Sequence, residues 1–243
     1  MYKERFMIGL SGNFQNVCEV YPVTIEQMLT QEEVFVYKKL LTITQGEIED
    51  TAEKPEDYLT PLEYLFNLAY NSKEFLEIVE RAFFFFTREP VTLLFNEKRI
   101  LIGQIEGYKD VAEFRFLSEE NYPEFQNMIR VSFGDDKVEE YEVHSDNPRV
   151  RAMKAQVRER ERIKAKQAAK SGEALEIVTL MNAVICMGLG ITPFNVKDLT
   201  FFALRNIQAM SSAKEKYYID MDSIMAGAKY KEVNPTHWIK NKK

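Results

Sequence analysis

The spacing of apolar residues along the first half of the chain predicts several helices. Apolar residues recur near helical period after Thr24, after Thr60 and after Ser72, and each of these side chains can cap a helix. Thr24 and Thr60 are each followed three residues later by Gln or Glu, which is the spacing of a capping box. We therefore expect one helix from Thr24 to about Thr44, one that begins after Thr60, and one that ends near Phe86.

Shorter segments in the same half predict two β-hairpins. In each hairpin, two short runs in which apolar and polar residues loosely alternate flank a turn-forming tripeptide. The acidic stretch 46–55, poor in apolar residues, is predicted to be a loop. A further helix is expected from Ser118 or Asn121 to Phe133. The predicted strands are 5–10 paired with 15–21, 91–95 paired with 99–103, and 111–116 as a candidate third strand beside the second pair.

The last third of the chain predicts helices alone. Residues 175–187 form an apolar segment that ends at Gly188 and Gly190, because glycine is unfavourable in a helix interior. A second helix is predicted over 196–213, continuing to Met225 and ending at Gly227. The fold class is therefore α+β, with short antiparallel hairpins in the N-terminal part and a small all-α module at the C-terminal end.

A basic stretch separates these two parts. Residues 149–170 hold nine Lys or Arg against two Glu, with no Gly, Pro or aromatic residue, so they predict a solvated basic helix. The predicted organisation is an acidic α+β domain at 1–146, a basic helical linker at 147–171 and a helical module at 172–243. The predicted basic arm consists of Arg149, Arg151, Lys154, Arg158, Arg160, Arg162, Lys164 and Lys166.

Charge is distributed unevenly between these parts. Residues 1–148 carry 14 basic and 29 acidic side chains, whereas 171–243 carry 9 basic and 7 acidic ones. An acidic body argues against broad nucleic-acid binding, and the basic helix lacks aromatic residues on which bases could stack. The arm is better suited to an acidic protein partner, or to the acidic domain of its own chain. A nucleic-acid-binding regulator stays as an alternative.

Nothing in the sequence assembles a catalytic or metal site. His144 and His237 have no second histidine at ligand spacing, and Asp220 and Asp222 point to different faces of a helix. Neither a phosphate-binding loop nor a nucleophile elbow is present. We therefore expect a protein that is not an enzyme and needs no cofactor or metal. The absence of a signal peptide and of a membrane span predicts a cytoplasmic protein with reduced cysteines.

The run Phe83–Phe86 admits two interpretations. Four consecutive aromatic residues are typical of a helix end that is buried on every side, but they would also suit a ligand-stacking platform or an exposed surface for a partner. Burial in the core is the favoured interpretation.

The order of these parts resembles a known protein family. The matching stretches are EVYPVTIEQML at 19–29, FFFFTREPVTLLF at 83–95, the basic linker, and VKDLTFFALRNIQAMSSAKEKYYIDMDSIMAGAK at 196–229, with NPTHWIKNK near the end. In this layout the chain resembles tail assembly chaperones and tail morphogenesis proteins of phages that infect Gram-positive bacteria. The resemblance implies a non-enzymatic assembly factor in the host cytoplasm that binds the tape-measure and tail-tube proteins and can form homo-oligomers. A structural virion protein of the tail, neck or baseplate is the main alternative.

Aromatic residues of the C-terminal module are the predicted partner-binding side chains. Phe201 adjoins Phe202, and Tyr217 adjoins Tyr218. Adjacent helical residues lie about 100° apart, so one member of each pair should leave the buried face. Trp238, close to the basic C-terminal residues, completes the set. The alternative is that all five close a small helical core.

Overall fold

The computed structural model describes residues 2–51, 59–103, 115–135, 177–228, 230–233, 235 and 237. These residues form helices and two small antiparallel sheets, so the predicted α+β fold is confirmed. The chain divides into two compact units. The first unit combines Met1–Asp136 with Thr192–Ala209, and the second combines Lys137–Ile191 with Met210–Lys243.

The N-terminal residues of the first unit form a helix and a short hairpin. Helix α1 spans Tyr2–Met7, and strands β1 (Gly12–Phe14) and β2 (Cys18–Val20) pair in antiparallel register. The predicted strand at 5–10 is therefore wrong, because α1 occupies the first half of that segment and buries Phe6. A hairpin is present, but its turn lies at Gln15 and Asn16, both of which have positive φ.

Three short helices follow β2. They are α2 (Ile25–Thr30), α3 (Val34–Leu41) and α4 (Gln45–Thr51). The capping box at Thr24 is confirmed, but Gln31 has an extended conformation and divides the single helix predicted to Thr44. The predicted loop is wrong for its first residues, since α4 begins at Gln45 and the main-chain N–H of Glu47 donates to Thr44 Oγ1 at 3.2 Å. Residues 52–55 of that loop lie outside the described part.

Two longer helices confirm their predicted caps. Helix α5 spans Pro61–Asn71 and begins with the capping box of Thr60 and Glu63. Helix α6 spans Lys73–Thr87, and the N–H of Phe75 donates to Ser72 Oγ. Helix α6 packs against both α3 and α5, so it is central to the first unit.

The second hairpin is confirmed as predicted. Strands β3 (Val91–Leu94), β4 (Arg99–Ile102) and β5 (Arg115–Leu117) form an antiparallel sheet in the order β3-β4-β5. Strand β5 starts at the end of the segment predicted as a third strand, and residues 111–114 lie outside the described part. The predicted helix that follows is also confirmed as α7, Tyr122–Ser132.

Side chains of α7 satisfy the C-terminal end of α3. Tyr122 Oη and Gln126 Nε2 both donate to the carbonyl of Leu41, at 3.0 and 2.9 Å. One turn further along α7, Arg130 Nη2 donates to the carbonyl of Thr42 at 2.7 Å. The last carbonyls of a helix have no partner within the helix, so these bonds stabilise the buried end of α3.

Three of the four residues in the run Phe83–Phe86 belong to the core. Phe83 and Phe86 are fully buried and Phe85 is 6% exposed, whereas Phe84 is 51% exposed. The Phe83 ring stacks on that of Phe125, with centroids 5.5 Å apart. The core interpretation is confirmed for these three residues and is wrong for Phe84, which faces outward because four consecutive helical residues point in different directions.

The C-terminal helices differ from their predicted bounds. Helix α8 spans Ile177–Cys186, and α9 is one helix from Phe201 to Met225, followed by α10, Tyr230–Val233. Val196–Asp198 form a 3-10 turn, so the long helix begins five residues later than predicted. The glycines after α8 and α9 have positive φ, in agreement with their predicted role as helix ends.

The division of the chain also differs from the predicted one. Residues Thr192–Ala209 were expected in the C-terminal module at 172–243, but they belong to the first unit. Their side chains complete its core, because Val196 and Leu204 are fully buried. The predicted linker at 147–171 lies outside the described residues.

Truncation of two neighbouring phenylalanines should separate core from surface. Phe83→Ala is expected to lower the free energy of unfolding by about 3–5 kcal/mol, the usual cost of truncating a buried Phe. Phe84→Ala should change it by less than about 0.5 kcal/mol, because the Phe84 side chain is half exposed. Urea denaturation followed by circular dichroism measures both values. Equal effects of the two substitutions would contradict the burial pattern.

The discontinuous first unit predicts the behaviour of a split chain. When residues 1–148 and 171–243 are co-expressed as separate polypeptides, we expect them to co-purify, because 192–209 supplies buried side chains to the first unit. Affinity purification through a tag on one fragment measures the association. If 1–148 alone unfolds at the same urea concentration as the intact chain, then 192–209 contributes nothing to its stability.

Candidate partner-binding surface

The start of α9 is joined to the first unit through its backbone. The N–H of Ile25 donates to the carbonyl of Leu199 at 2.9 Å, and the N–H of Phe201 donates to that of Val23 at 2.8 Å. Between them, Thr24 and Thr200 form an antiparallel β-bridge. We call residues 199–205 the root of α9.

Thr200 caps α9 and connects it to α1. Its side chain is buried, with 2% exposure, and its Oγ1 donates to the carbonyl of Phe6 at 2.9 Å. The same oxygen accepts the N–H of Ala203 at 3.0 Å. The hydroxyl therefore satisfies a free N–H of the first helical turn and one carbonyl of α1.

Arg205 connects the root to the end of α7. Its Nη1 donates to the carbonyl of Phe133 at 2.9 Å and lies 2.8 Å from Asp135 Oδ1. Lys38 of α3 pairs with the other carboxylate oxygen of Asp135. One carboxylate thus links α3 with α9. These ion pairs are partly exposed, so the hydrogen bond to the carbonyl is the more reliable contribution to stability.

The two phenylalanines of the root are both occupied within the first unit. Phe202 is buried, with 9% exposure, so the prediction that it binds a partner is corrected. Phe201 is half buried, and its ring lies edge-on to that of Phe133, with centroids 6.1 Å apart. Both rings therefore take part in the docking of the root on the first unit.

The later part of α9 presents its aromatic residues differently. The rings of Tyr217 and Tyr218 lie 5.9 Å apart, and the ring of His237 lies 5.0 Å from Tyr217. Lys214 Nζ is 5.9 Å from the centre of the Tyr218 ring, one helical turn away, which is within cation–π range. Tyr217 is half buried, whereas Tyr218 is 52% exposed.

Other apolar side chains of the same helical segment are exposed as well. Ile219 is 58% exposed and Met225 is 81% exposed. Tyr218 and Met225 are seven residues apart, so they lie on the same side of the helix, about two turns from each other. We call Tyr217, Tyr218, Ile219 and Met225 the distal surface, in which Tyr218 and Met225 share one side of the helix and Tyr217 and Ile219 flank that side in opposite directions.

Some predicted site residues cannot be placed. Trp238 lies outside the described residues. The basic arm, from Arg149 to Lys166, lies there too. Of the four predicted partner-binding residues that the structure describes, Tyr218 is exposed, Phe201 and Tyr217 are half buried and Phe202 is buried.

Two perturbed side chains of the first unit have structural roles. Burial raises the pKa of the Cys18 thiol to about 12, so Cys18 stays protonated and unreactive at neutral pH. Burial, together with a hydrogen bond to Glu33, raises the pKa of Tyr37 to about 12. Among the described residues, no group of His, Cys, Asp and Glu side chains is arranged to hold a metal ion. None of the described helices is long and apolar enough to cross a membrane.

The sequence analysis missed one exposed aromatic cluster. Tyr70 of α5 is 79% exposed, and its ring lies 5.9 Å from that of Phe95, which also contacts the buried Phe66. The helical period of α5 places Tyr70 off the buried face, so the exposure of Tyr70 could have been predicted from the sequence. The contact with Phe95, 25 residues later, had no signal in the sequence.

Comparison of the chain with protein-family models, with curated proteins and with solved structures gave no match. Function is therefore inferred from the residues of the chain itself.

Stability measurements should distinguish the two halves of α9. Phe202→Ala is expected to lower the free energy of unfolding by about 3–5 kcal/mol, because Phe202 is buried in the first unit. Tyr218→Ala should change it by less than about 0.5 kcal/mol. Chemical denaturation of both variants tests this difference. A large loss for Tyr218→Ala would mean that Tyr218 supports the fold rather than a partner interface.

Proposed function

We propose that this protein is a non-enzymatic assembly factor that binds other proteins through the distal surface of α9. The observation that carries the proposal is the exposure of Tyr218, Ile219 and Met225 on one stretch of helix. Tyrosine is enriched among residues that dominate binding energy at protein interfaces, and methionine adapts to varied apolar partners. Exposed apolar side chains grouped in this way are typical of an interaction site.

The mode of recognition follows from the shape of the surface. A single helix that presents apolar side chains over two turns suits a partner that is itself helical or that offers an apolar groove. Lys214, beside Tyr218, and the acidic Asp220 and Asp222 give the edges of the surface both signs of charge. Such edges favour one orientation of a partner over another.

The sequence resemblance supplies the biological setting of the proposal. We propose that the partners are phage tail proteins, with the tape-measure and tail-tube proteins as first candidates, and that binding takes place in the host cytoplasm. Formation of a homo-oligomer is part of the same proposal. A structural protein of the phage tail, neck or baseplate would use the same surface but remain in the particle. Mass spectrometry of purified virions separates the two, since an assembly factor should be absent from mature particles.

The binding test uses the full chain as bait for candidate tail-tube and tape-measure proteins. Tyr218→Ala and Met225→Ala are each expected to weaken capture at least about tenfold, because truncation of a dominant interface anchor costs about 2 kcal/mol or more and a factor of ten corresponds to about 1.4 kcal/mol. Tyr70→Ala is the matched control, since Tyr70 is an exposed aromatic residue of the first unit. Capture by all three variants at the level of the unchanged chain would exclude the distal surface.

A further inference from the structure

Burial along α9 changes abruptly after its first turn. Phe202, Ala203 and Leu204 are buried, with exposures of 9%, 3% and 0%. Across the fully described span 205–225, no side chain is buried. Packing is therefore tightest at the beginning of this helix, whereas the side chains of residues 210–225, which we call the distal half, are half buried or exposed.

The distal half has a composition that does not favour an isolated helix. Its sequence MSSAKEKYYIDMDSIM contains three Ser, two Asp, two Tyr and two Ile, all weaker helix formers than Ala or Leu. Formation of the first helical turn is the unfavourable step, whereas each added residue costs little. The distal half has 16 residues, close to the length of roughly 12–15 residues below which an isolated helix is marginal in water even when it is rich in alanine.

The root supplies the first helical turn, whose formation is the unfavourable step for the distal half. Thr200 provides the N-cap, two backbone hydrogen bonds hold residues 199 and 201, and Arg205 binds the end of α7. We propose that the docked root is the nucleus from which the helix of the distal half propagates. The distal surface is then helical before any partner arrives.

This inference rests on the proposed function for its biological meaning and adds a regulatory consequence. A partner that meets a preformed helix does not have to order it, so binding is tighter than to an unfolded segment. Release of the root would unfold the distal half and weaken binding, although no residue of the root contacts the partner. Thr200 and Arg205 thus control a surface of which they are not part.

Amide hydrogen exchange of the full chain without any partner tests the nucleus. In the unchanged protein, we expect peptides covering 213–225 to be protected. In Ala209→Pro, they should exchange at the rate of an unstructured peptide, while peptides covering 18–30 keep their protection. Proline is favourable at the first position of a helix, so residues 209–225 stay helical in this variant if they are able to do so alone. Ala226→Pro, just beyond the end of α9, is the control and should leave 213–222 protected.

The cap is tested by two substitutions at one position. Thr200→Val keeps the shape and removes the hydroxyl, so it should reduce the protection of 213–225, and Thr200→Ser should restore it. Distal protection that persists in Ala209→Pro, or that is missing from the unchanged protein, would overturn the inference. Because these measurements use no partner, they are independent of the capture experiment. Loss of distal protection with no tail protein captured would leave the nucleus established and reject the proposed function.

Discussion

The first unit depends on the contact between the root of α9 and the segment that precedes α2. Thr200 is buried, and its hydroxyl both donates to Phe6 and accepts from Ala203. A buried polar group that loses its partner costs about 1–3 kcal/mol. Removal of this hydroxyl would take that partner from the N–H of Ala203 and leave the Phe6 carbonyl with the N–H of Gly9 as its remaining donor. The backbone bonds at Val23 and Ile25 flank the same point. Residues almost 200 positions apart are joined here, and the aromatic core on either side is closed by this contact.

The same physical solution recurs at other helix ends of the first unit. The carbonyls at the end of α3 are satisfied by Tyr122, Gln126 and Arg130 of α7, and the carbonyl of Phe133 is satisfied by Arg205. Distant side chains thus satisfy backbone groups that would otherwise be buried without partners. Aromatic rings fill the space between these helices, and Phe133 contacts rings from α3, α6 and α9. No side chain of the distal half of α9 is fully buried, and this is the part of the helix that presents the exposed Tyr218, Ile219 and Met225.

Local sequence patterns were sufficient to predict several elements of secondary structure. The caps at Thr24, Thr60 and Ser72 and the hairpin of β3 and β4 were predicted because the deciding hydrogen bonds join residues a few positions apart. The errors occurred where local patterns were ambiguous. Residues 5–10 fit a strand or one helical turn equally well, and the contact of α1 with β1 selected the helix. The helix predicted from Thr24 was divided at Gln31, although nothing in its apolar spacing marks that position.

In the candidate site, too, some features are determined by the local sequence and others by contacts between distant residues. The sequence by itself determined the fold class, the helical character of 201–225 and the expectation that each aromatic pair has one member off the buried face. Only the tertiary structure decided that Phe202 is buried while Tyr218 is exposed. Only the tertiary structure assigned 192–209 to the first unit. The second outcome is accompanied by contacts of Thr200, Phe201 and Arg205 with Phe6, Val23 and Phe133. Contacts made across such long separations leave no periodic trace in the sequence, because each partner has the same local pattern whether or not the contact forms.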